Sequence, residues 1–185
     1  MGTVAIRDAT PADALAIAAI GRVAMPAQYD GVVDPVAVAA AVEQTYADDV
    51  LADCIARCTA ADDAEFLVAE RDGGVIGFLH FDSFGAEPEL HRLYVDASVR
   101  GGGAGHALVE ALRQRLPPGA PYMLLVVAAN ERAVRFYERH GLRVAELVDG
   151  LAYYRSNMGV EFPPGLPTFP MLVMRRTGAL PTTRP

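Results

Sequence analysis

Lysine is absent from this sequence: all sixteen basic residues among its 185 positions are arginine. A P-loop, a Schiff-base site built on lysine and the nucleotide site of a protein kinase each depend on a lysine side chain. These three kinds of site are therefore excluded from the chain.

Cysteine is scarce as well, and only Cys54 and Cys58 occur, four residues apart in a segment of helical pattern. Two ligands do not make a zinc site, and no nearby pair of histidines completes one. We expect both thiols to be buried as small hydrophobic groups. His80 and His140 are expected to be structural or surface residues.

Long apolar runs are missing too. No run reaches the roughly 20 residues that a membrane-spanning helix needs. The first residues, MGTVAIRDAT, have neither a basic leader nor a long apolar core, so we expect no signal peptide. These features predict a cytoplasmic protein without a membrane partner.

Acidic residues exceed basic ones, and the formal net charge is −7. This balance argues against a nucleic-acid partner, because such proteins need clustered positive charge to bind phosphate. It is compatible with a cationic substrate.

Apolar periodicity predicts one α/β domain built around a mixed sheet. The predicted strands are Thr3–Arg7, Glu65–Glu70, Val75–Asp82, Glu89–Val95, Tyr122–Val127, residues 142–148 and Met171–Arg176. The predicted helices run from Thr10 to about Ala24, over Val36–Thr59 with a break near Asp48, and over Gly103–Leu116 and Asn130–Gly141. Residues 26–35 and 149–170 are predicted loops. Since the chain has neither repeats nor a dividing linker, we expect a single domain over residues 1–185, with a core at about 3–176 and a flexible tail at 177–185.

A glycine-rich segment, RGGGAGH at Arg100–His106, separates a predicted strand from a predicted helix. The first turn of a helix has unpaired N–H groups and a partial positive charge, which attract phosphate. Glycine at positions 101, 103 and 105 keeps side chains out of the approach and permits the dihedral angles of an anion-binding nest. The pattern is neither G-x-G-x-x-G nor a Walker A loop, and on its own such a turn is more often a tight connection than a ligand site.

Two motifs, in this order along the chain, resemble the GNAT superfamily of acyl-CoA-dependent N-acetyltransferases. One is Arg100-x-x-Gly103-x-Gly105, and the other is N-x-x-A-x-x-F-Y-E-x-x-G from Asn130 to Gly141. The resemblance covers nearly all of residues 3–176 and says little about residues 150–170. It implies a single GNAT-like domain of the α/β (α+β) class. Its sheet would be mixed and mostly antiparallel, with about six to seven strands splayed between the fourth and the fifth, and about four flanking helices.

The resemblance also implies acetyl-CoA (coenzyme A) as co-substrate and no metal. Backbone N–H groups of the glycine-rich segment would hold the pyrophosphate. The pantetheine arm would pair with backbone groups left free where two strands splay apart. The residues expected at this cofactor are Leu93, Tyr94, Val95, Arg100, Gly101, Gly102, Gly103, Ala104, Gly105, His106, Asn130, Ala133 and Phe136.

Acetyl transfer to an amine needs a base, an oxyanion donor and a proton for the leaving thiolate. The resemblance implies Glu89 as the base, with His91 on the same strand face as an alternative and Glu87 as a weaker choice. Tyr137 is the expected general acid, because a phenol of pKa about 10 is protonated at neutral pH. A backbone N–H near 93–95 is the expected oxyanion donor.

In this family the acceptor site forms from the first two helices, their connection and the last two strands. The aromatic side chains in the corresponding segments are Tyr29, Tyr153, Tyr154 and Phe162. The acidic side chains there are Asp30, Asp34 and Glu161. The aromatic side chains could form one wall of an amine-binding site, and the acidic side chains could balance the charge of the amine. Equally, the aromatic side chains could pack to fix a long loop.

The resemblance therefore implies an N-acetyltransferase that moves an acetyl group from acetyl-CoA to a primary amine of a small molecule in a ternary complex. A protein or peptide N-terminal acetyltransferase and a non-catalytic CoA-binding module are the alternatives. A homodimer is possible on the same basis.

Overall fold

The computed structural model describes residues 2–99, 101–158 and 165–176. Seven strands in these residues form one sheet in the order β1-β2-β3-β4-β5-β7-β6. They are β1 (Ala5–Asp8), β2 (Ala64–Arg71), β3 (Gly74–Asp82), β4 (Glu89–Val95), β5 (Tyr122–Val127), β6 (Arg143–Asp149) and β7 (Pro170–Arg176). The expected mixed sheet of about six to seven strands is confirmed.

All neighbouring strands are antiparallel except β4 and β5, which run parallel. Their pairing is confined to Glu89 opposite Met123, at the start of both strands. Beyond this point β4 and β5 diverge, so the backbone groups along their later residues face each other across a gap. The sheet is therefore splayed between its fourth and fifth strands.

Six α-helices occur in the described residues, where about four were expected. They are α1 (Ala14–Tyr29), α2 (Pro35–Thr45), α3 (Asp48–Ala60), α4 (Ala104–Arg115), α5 (Glu131–Arg139) and α6 (Gly150–Met158). A 3₁₀ turn at Pro11–Asp13 leads into α1, and the Asp13 carboxylate accepts a hydrogen bond of 2.8 Å from Thr10 N. The expected break near Asp48 divides α2 from α3.

Two segments predicted as loops are helical instead. Helix α1 continues through Pro26 to Tyr29, because tertiary contacts stabilise its last turn: the Tyr29 ring packs edge-to-face on Phe169 at 6.0 Å. Helix α6 begins after Asp149, whose carboxylate accepts a hydrogen bond of 3.0 Å from Ala152 N. Packing at these two places outweighs the local turn signals of proline and glycine.

The sheet has a hydrophobic core on each face, as alternation along β3 requires. Phe78 packs with the buried side chains of α1, α2 and α3 on one face. Leu79, the next residue, packs with Leu108 and Leu112 of α4 on the other. None of the helices in the described residues is long and apolar enough to cross a membrane.

Candidate active site

A cleft of about 1030 Å³ lies where β4 and β5 diverge. Its walls come from both strands, the amino end of α4, one face of α5 and the last turns of α1. Most of the residues expected at a cofactor lie on it: Leu93, Tyr94, Val95, Gly101, Gly103, Ala104, Gly105, His106, Asn130, Ala133 and Phe136. The splay therefore brings two motifs from separate parts of the chain to one cavity.

The glycine-rich turn presents bare backbone at the start of α4. Gly101 has φ 87°, and Gly103, the N-cap of α4, has φ 83°. Residues other than glycine adopt this left-handed backbone conformation only at an energetic cost. A Cβ added at either position would meet no atom within 4 Å, so both face open space. The unpaired N–H groups of the first turn are therefore accessible to an anion.

An arginine at the end of β2 forms a hydrogen bond to the backbone of this glycine-rich turn. Arg71 Nη2 donates to the Gly102 carbonyl oxygen at 3.2 Å. A Cβ on Gly102 would come within 2.8 Å of that guanidinium, so the glycine makes room for it. Arg71 was not expected from the sequence, and Gly102 packs against it rather than facing the cleft. Arg100 lies outside the described residues.

Asn130 caps α5 at the opposite wall, where its Oδ1 accepts a hydrogen bond of 3.1 Å from Ala133 N. Asn130, Ala133 and Phe136 line the cleft along one face of the helix. The Phe136 ring lies 3.7 Å from the position of a Cβ on Gly105, so helices α4 and α5 approach closely here. Asn130 thus acts as an N-cap and also lies on the cleft.

Tyr137 follows Phe136 and lies on the cleft between β4 and β5. Burial raises the pKa of its phenol well above the ordinary value of 10. The hydroxyl is therefore protonated throughout the physiological pH range and can donate a proton.

At the other end of β4, three titratable side chains form a row. Glu89 Oε1 lies 3.4 Å from His91 Nδ1, and His91 Nε2 lies 3.1 Å from Asp82 Oδ1. Although burial lowers it, contacts with Asp82 and Glu89 raise the pKa of His91 to about 9. Burial opposes ionisation of Asp82, yet contacts with His80 and His91 hold its pKa well below the ordinary value. The row contains one cation between two carboxylates.

A β-bulge places His91 in this row. The register pairs Phe81 with Leu90 and His80 with Arg92, which leaves His91 without a partner on β3. Such bulges bend a strand and re-aim its side chains. The alternation on which the sequence prediction relied therefore does not hold along β4, although Glu89 and His91 still come together.

The end of the cleft that α1 and α6 line is aromatic and acidic. Tyr29, Asp30 and Tyr154 line it, and the Tyr29 and Tyr154 hydroxyls lie 3.1 Å apart. Gln28 Nε2 donates to the Tyr94 hydroxyl at 2.5 Å at the same end, an unexpected contact from the extended part of α1. Three of the expected acceptor residues thus share one wall.

Other candidates lie elsewhere. Asp34 caps α2, where its Oδ1 accepts a hydrogen bond of 2.8 Å from Val36 N, and it is not on the cleft. Tyr153 also lies outside the cleft lining, with its hydroxyl 3.6 Å from Met123 Sδ. Glu87 pairs with Arg175 at 2.8 Å on the surface. Glu161 and Phe162 fall outside the described residues.

The two histidines expected to be structural or surface residues are both buried. His140 packs against Phe136 with ring centroids 4.6 Å apart, and burial lowers the pKa of its imidazole. His80 contacts Asp82, with Nε2 3.2 Å from Oδ2. Asp82 was missed by the sequence reasoning, although its spacing of two from His80 places both side chains on one face of β3.

Residues 62–143 match the family model described as an acetyltransferase (GNAT) domain. This match covers less than half of the chain, and the splayed sheet and the glycine turn agree with it, so this part of the chain is similar to the GNAT acetyltransferases. The mycothiol acetyltransferase of Streptomyces coelicolor is 45% identical over 85 residues, which are 43% of this chain and 27% of that protein. The mycothiol acetyltransferase of Streptomyces avermitilis is 41% identical over 90 residues, which are 46% of this chain and 29% of that protein. The chain thus spans less than a third of these curated relatives.

Solved structures share the fold over nearly the whole chain. The PaiA N-acetyltransferase of Thermoplasma acidophilum, in complex with coenzyme A, superposes with a TM-score of 0.74 at 22% identity, covering 95% of this chain and 99% of that one. The ribosomal-protein-S18-alanine N-acetyltransferase of Escherichia coli superposes with a TM-score of 0.65 at 16% identity, covering 99% of both chains. At these identities the likeness concerns the fold alone.

Proposed function

We propose that this chain is an N-acetyltransferase that moves an acetyl group from acetyl-CoA to the primary amine of a small molecule, by direct transfer in a ternary complex. The observation that carries the proposal is the single cleft along which an open glycine turn, a protonated tyrosine and a carboxylate succeed one another. These three parts correspond to binding of the phosphates, protonation of the leaving group and deprotonation of the amine.

The cleft fits coenzyme A in two respects. The left-handed glycines at the start of α4 leave open the space that side chains would fill, so their N–H groups are available to a diphosphate. The gap between Leu93 and Val95 of β4 and Leu125 of β5 offers backbone groups to the amides of a pantetheine arm. Acetyl-CoA supplies the thioester, and the protein holds it between β4 and β5.

Glu89 is the proposed base. An alkyl ammonium must lose its proton before it can attack a thioester, and a carboxylate can take that proton directly or through water. Glu89 lies on the cleft. Both ring nitrogens of His91 face carboxylates, so both carry protons and neither has a lone pair for the amine. His91 therefore positions Glu89 rather than acting as the base.

Tyr137 is the proposed acid. Its protonated hydroxyl donates to the sulfur that leaves as a thiolate, and burial keeps the proton on the oxygen until the thiolate forms. A backbone N–H near Leu93–Val95 would donate to the oxyanion of the tetrahedral intermediate, because the splay leaves these groups without a strand partner.

The acceptor is proposed to be a small, partly apolar amine. Tyr29 and Tyr154 form an aromatic wall and Asp30 adds a carboxylate close to it. A cationic amine gains from both the ring faces and the charge. The matched relatives are named mycothiol acetyltransferases, which supports a small molecule rather than a polypeptide as acceptor.

A thiol-release assay tests the proposal. The full chain is incubated with acetyl-CoA and a panel of small primary amines and N-terminal peptides, and free coenzyme A is measured. We expect turnover with some small amines, and kcat lower by about 10²–10⁴-fold in Glu89→Gln and in Tyr137→Phe. Glu87→Gln is the matched control, since this exposed carboxylate pairs with Arg175 outside the cleft.

Two results would contradict this function. Turnover restricted to peptide N-termini would make the chain a protein acetyltransferase. Binding of coenzyme A without turnover on any amine would favour a CoA-binding module.

A further inference from the structure

Two thiols and an imidazole converge at the wall of the cleft. Cys54 and Cys58 lie one turn apart on α3, and both contact His80 of β3. Cys58 Sγ lies 3.4 Å and Cys54 Sγ 3.9 Å from His80 Nε2. Each of the three ligand atoms lies within 4.8 Å of the other two. The third ligand comes from a strand 22 residues after Cys58, which is why the spacing of the cysteines did not reveal it.

These separations are those of a tetrahedral zinc site. With Zn–S of about 2.3 Å and Zn–N of about 2.0–2.1 Å, a sulfur and a nitrogen ligand lie about 3.6 Å apart. The two sulfur–nitrogen distances here, 3.4 and 3.9 Å, lie on either side of that value. Both sulfur–nitrogen separations are therefore close to those of a zinc site before any side chain moves.

The imidazole is already oriented for this role. His80 is 4% exposed, and its ring stacks between Phe66 at 5.0 Å and His91 at 4.9 Å. Its Nδ1 finds no hydrogen-bond partner among the described residues, so stacking rather than an outer hydrogen bond fixes the ring. Nε2 lies 3.4 Å from Cys58 Sγ and 3.2 Å from Asp82 Oδ2, so a metal ion bound at Nε2 would replace its contact with Asp82.

Charge also favours a divalent cation at this place. Two thiolates and a neutral imidazole cancel the charge of Zn²⁺, and the buried Asp82 carboxylate, 3.2 Å from His80 Nε2, adds negative charge beside the ion. Binding releases the thiol protons. Cys54 and His80 line the cleft, which gives an ion a path from solvent. Thiolate and imidazole donors favour zinc over magnesium or calcium, which prefer oxygen.

We propose that this chain binds one Zn²⁺ through Cys54 Sγ, Cys58 Sγ and His80 Nε2, with a fourth position directed toward the cleft. Three protein ligands and one exchangeable position are the arrangement of zinc sites that bind a water or a substrate atom. The site is separate from the proposed coenzyme A cradle and does not depend on acetyl transfer.

A second cluster provides the internal control. His106, Glu110 and His140 also hold their ligand atoms within 4.8 Å of one another, but no thiolate is among them. His106 is exposed, so His106→Ala removes that cluster without disturbing a core.

The experiment measures metal content and spectrum of the reduced full chain. The purified protein is freed of metal, incubated with excess Zn²⁺, dialysed and analysed by mass spectrometry, and Co²⁺ is used as an absorbing probe. We expect one zinc per chain and a thiolate-to-cobalt charge-transfer band. Cys54→Ser and Cys58→Ser should each weaken binding by more than about 100-fold, because even loss of an outer partner costs 10–100-fold. His106→Ala should bind as the parent does.

Three results would overturn the proposal: no retained zinc, retention by the double variant Cys54→Ser/Cys58→Ser, or loss in His106→Ala alone. The cobalt band is read on the unaltered chain, so it decides the matter even where a variant at buried Cys58 fails to fold. A calorimetric titration with coenzyme A distinguishes failure of this site from failure of the proposed transferase function.

Discussion

The glycine that caps α4 offers a test in which backbone strain and ligand binding separate. Gly103 has φ 83° and faces open space where a diphosphate would lie. In Gly103→Ala, the left-handed conformation costs about 1–2 kcal/mol, and the added methyl group occupies that space. Gly141, just beyond α5, also has φ 83° and open surroundings, but it does not line the cleft. Gly141→Ala is therefore a control with the same strain.

We expect both variants to lose about 1–2 kcal/mol of unfolding free energy in urea. Only Gly103→Ala should bind coenzyme A more weakly. A charge-assisted hydrogen bond to phosphate is worth about 1.5–3 kcal/mol, so the loss of one raises Kd by about 10–150-fold. The measurements are urea unfolding and calorimetric titration with coenzyme A. Equal affinity in Gly103→Ala and the parent would refute the phosphate cradle, and so would an equal loss in both variants.

Three further outcomes test the fold around the site. Contacts with Arg7 lower the pKa of Asp13 to about 2, so the stabilisation by its carboxylate is complete above about pH 5 and is lost as the pH falls through about 2. Asp13→Asn should remove about 1–2 kcal/mol of unfolding free energy at pH 7 and flatten this part of a pH–stability curve. An unchanged curve would contradict this prediction. Asn130→Ala should lower the free energy of unfolding by about 1 kcal/mol in urea, because the hydrogen bond to Ala133 N is lost. A change near zero would mean that this N-cap does not stabilise α5. Leu108→Ala should cost about 2–5 kcal/mol, because this fully buried side chain of α4 leaves a cavity; a loss under 1 kcal/mol would show that the core collapses around it.

Local patterns predicted most of the sheet. The bounds of β4 and β5 agree with those expected, and β5 is an unbroken apolar run. The two helices that flank the cleft begin at a glycine and an asparagine, as their sequences indicate. These elements hold most of the proposed cofactor residues, so the motif positions also predicted which residues share the cleft.

Tertiary contacts determine the features that local sequence patterns did not predict. Helix α1 passes through Pro26 because Tyr29 packs on Phe169, a residue far along the chain. The bulge at His91 depends on the register between β3 and β4, which no local signal states. The contact of His80 with the cysteines is likewise a product of folding, and so is the salt bridge between Glu87 and Arg175.

Calorimetric titration of the full chain with acetyl-CoA tests the central claim most directly, since everything proposed for the cleft requires that it hold this ligand. We predict saturable heat at one ligand per chain, with competition by free coenzyme A. Absence of heat at ligand concentrations that saturate ordinary acetyltransferases would contradict the account, and Glu89 and Tyr137 would then have no thioester on which to act.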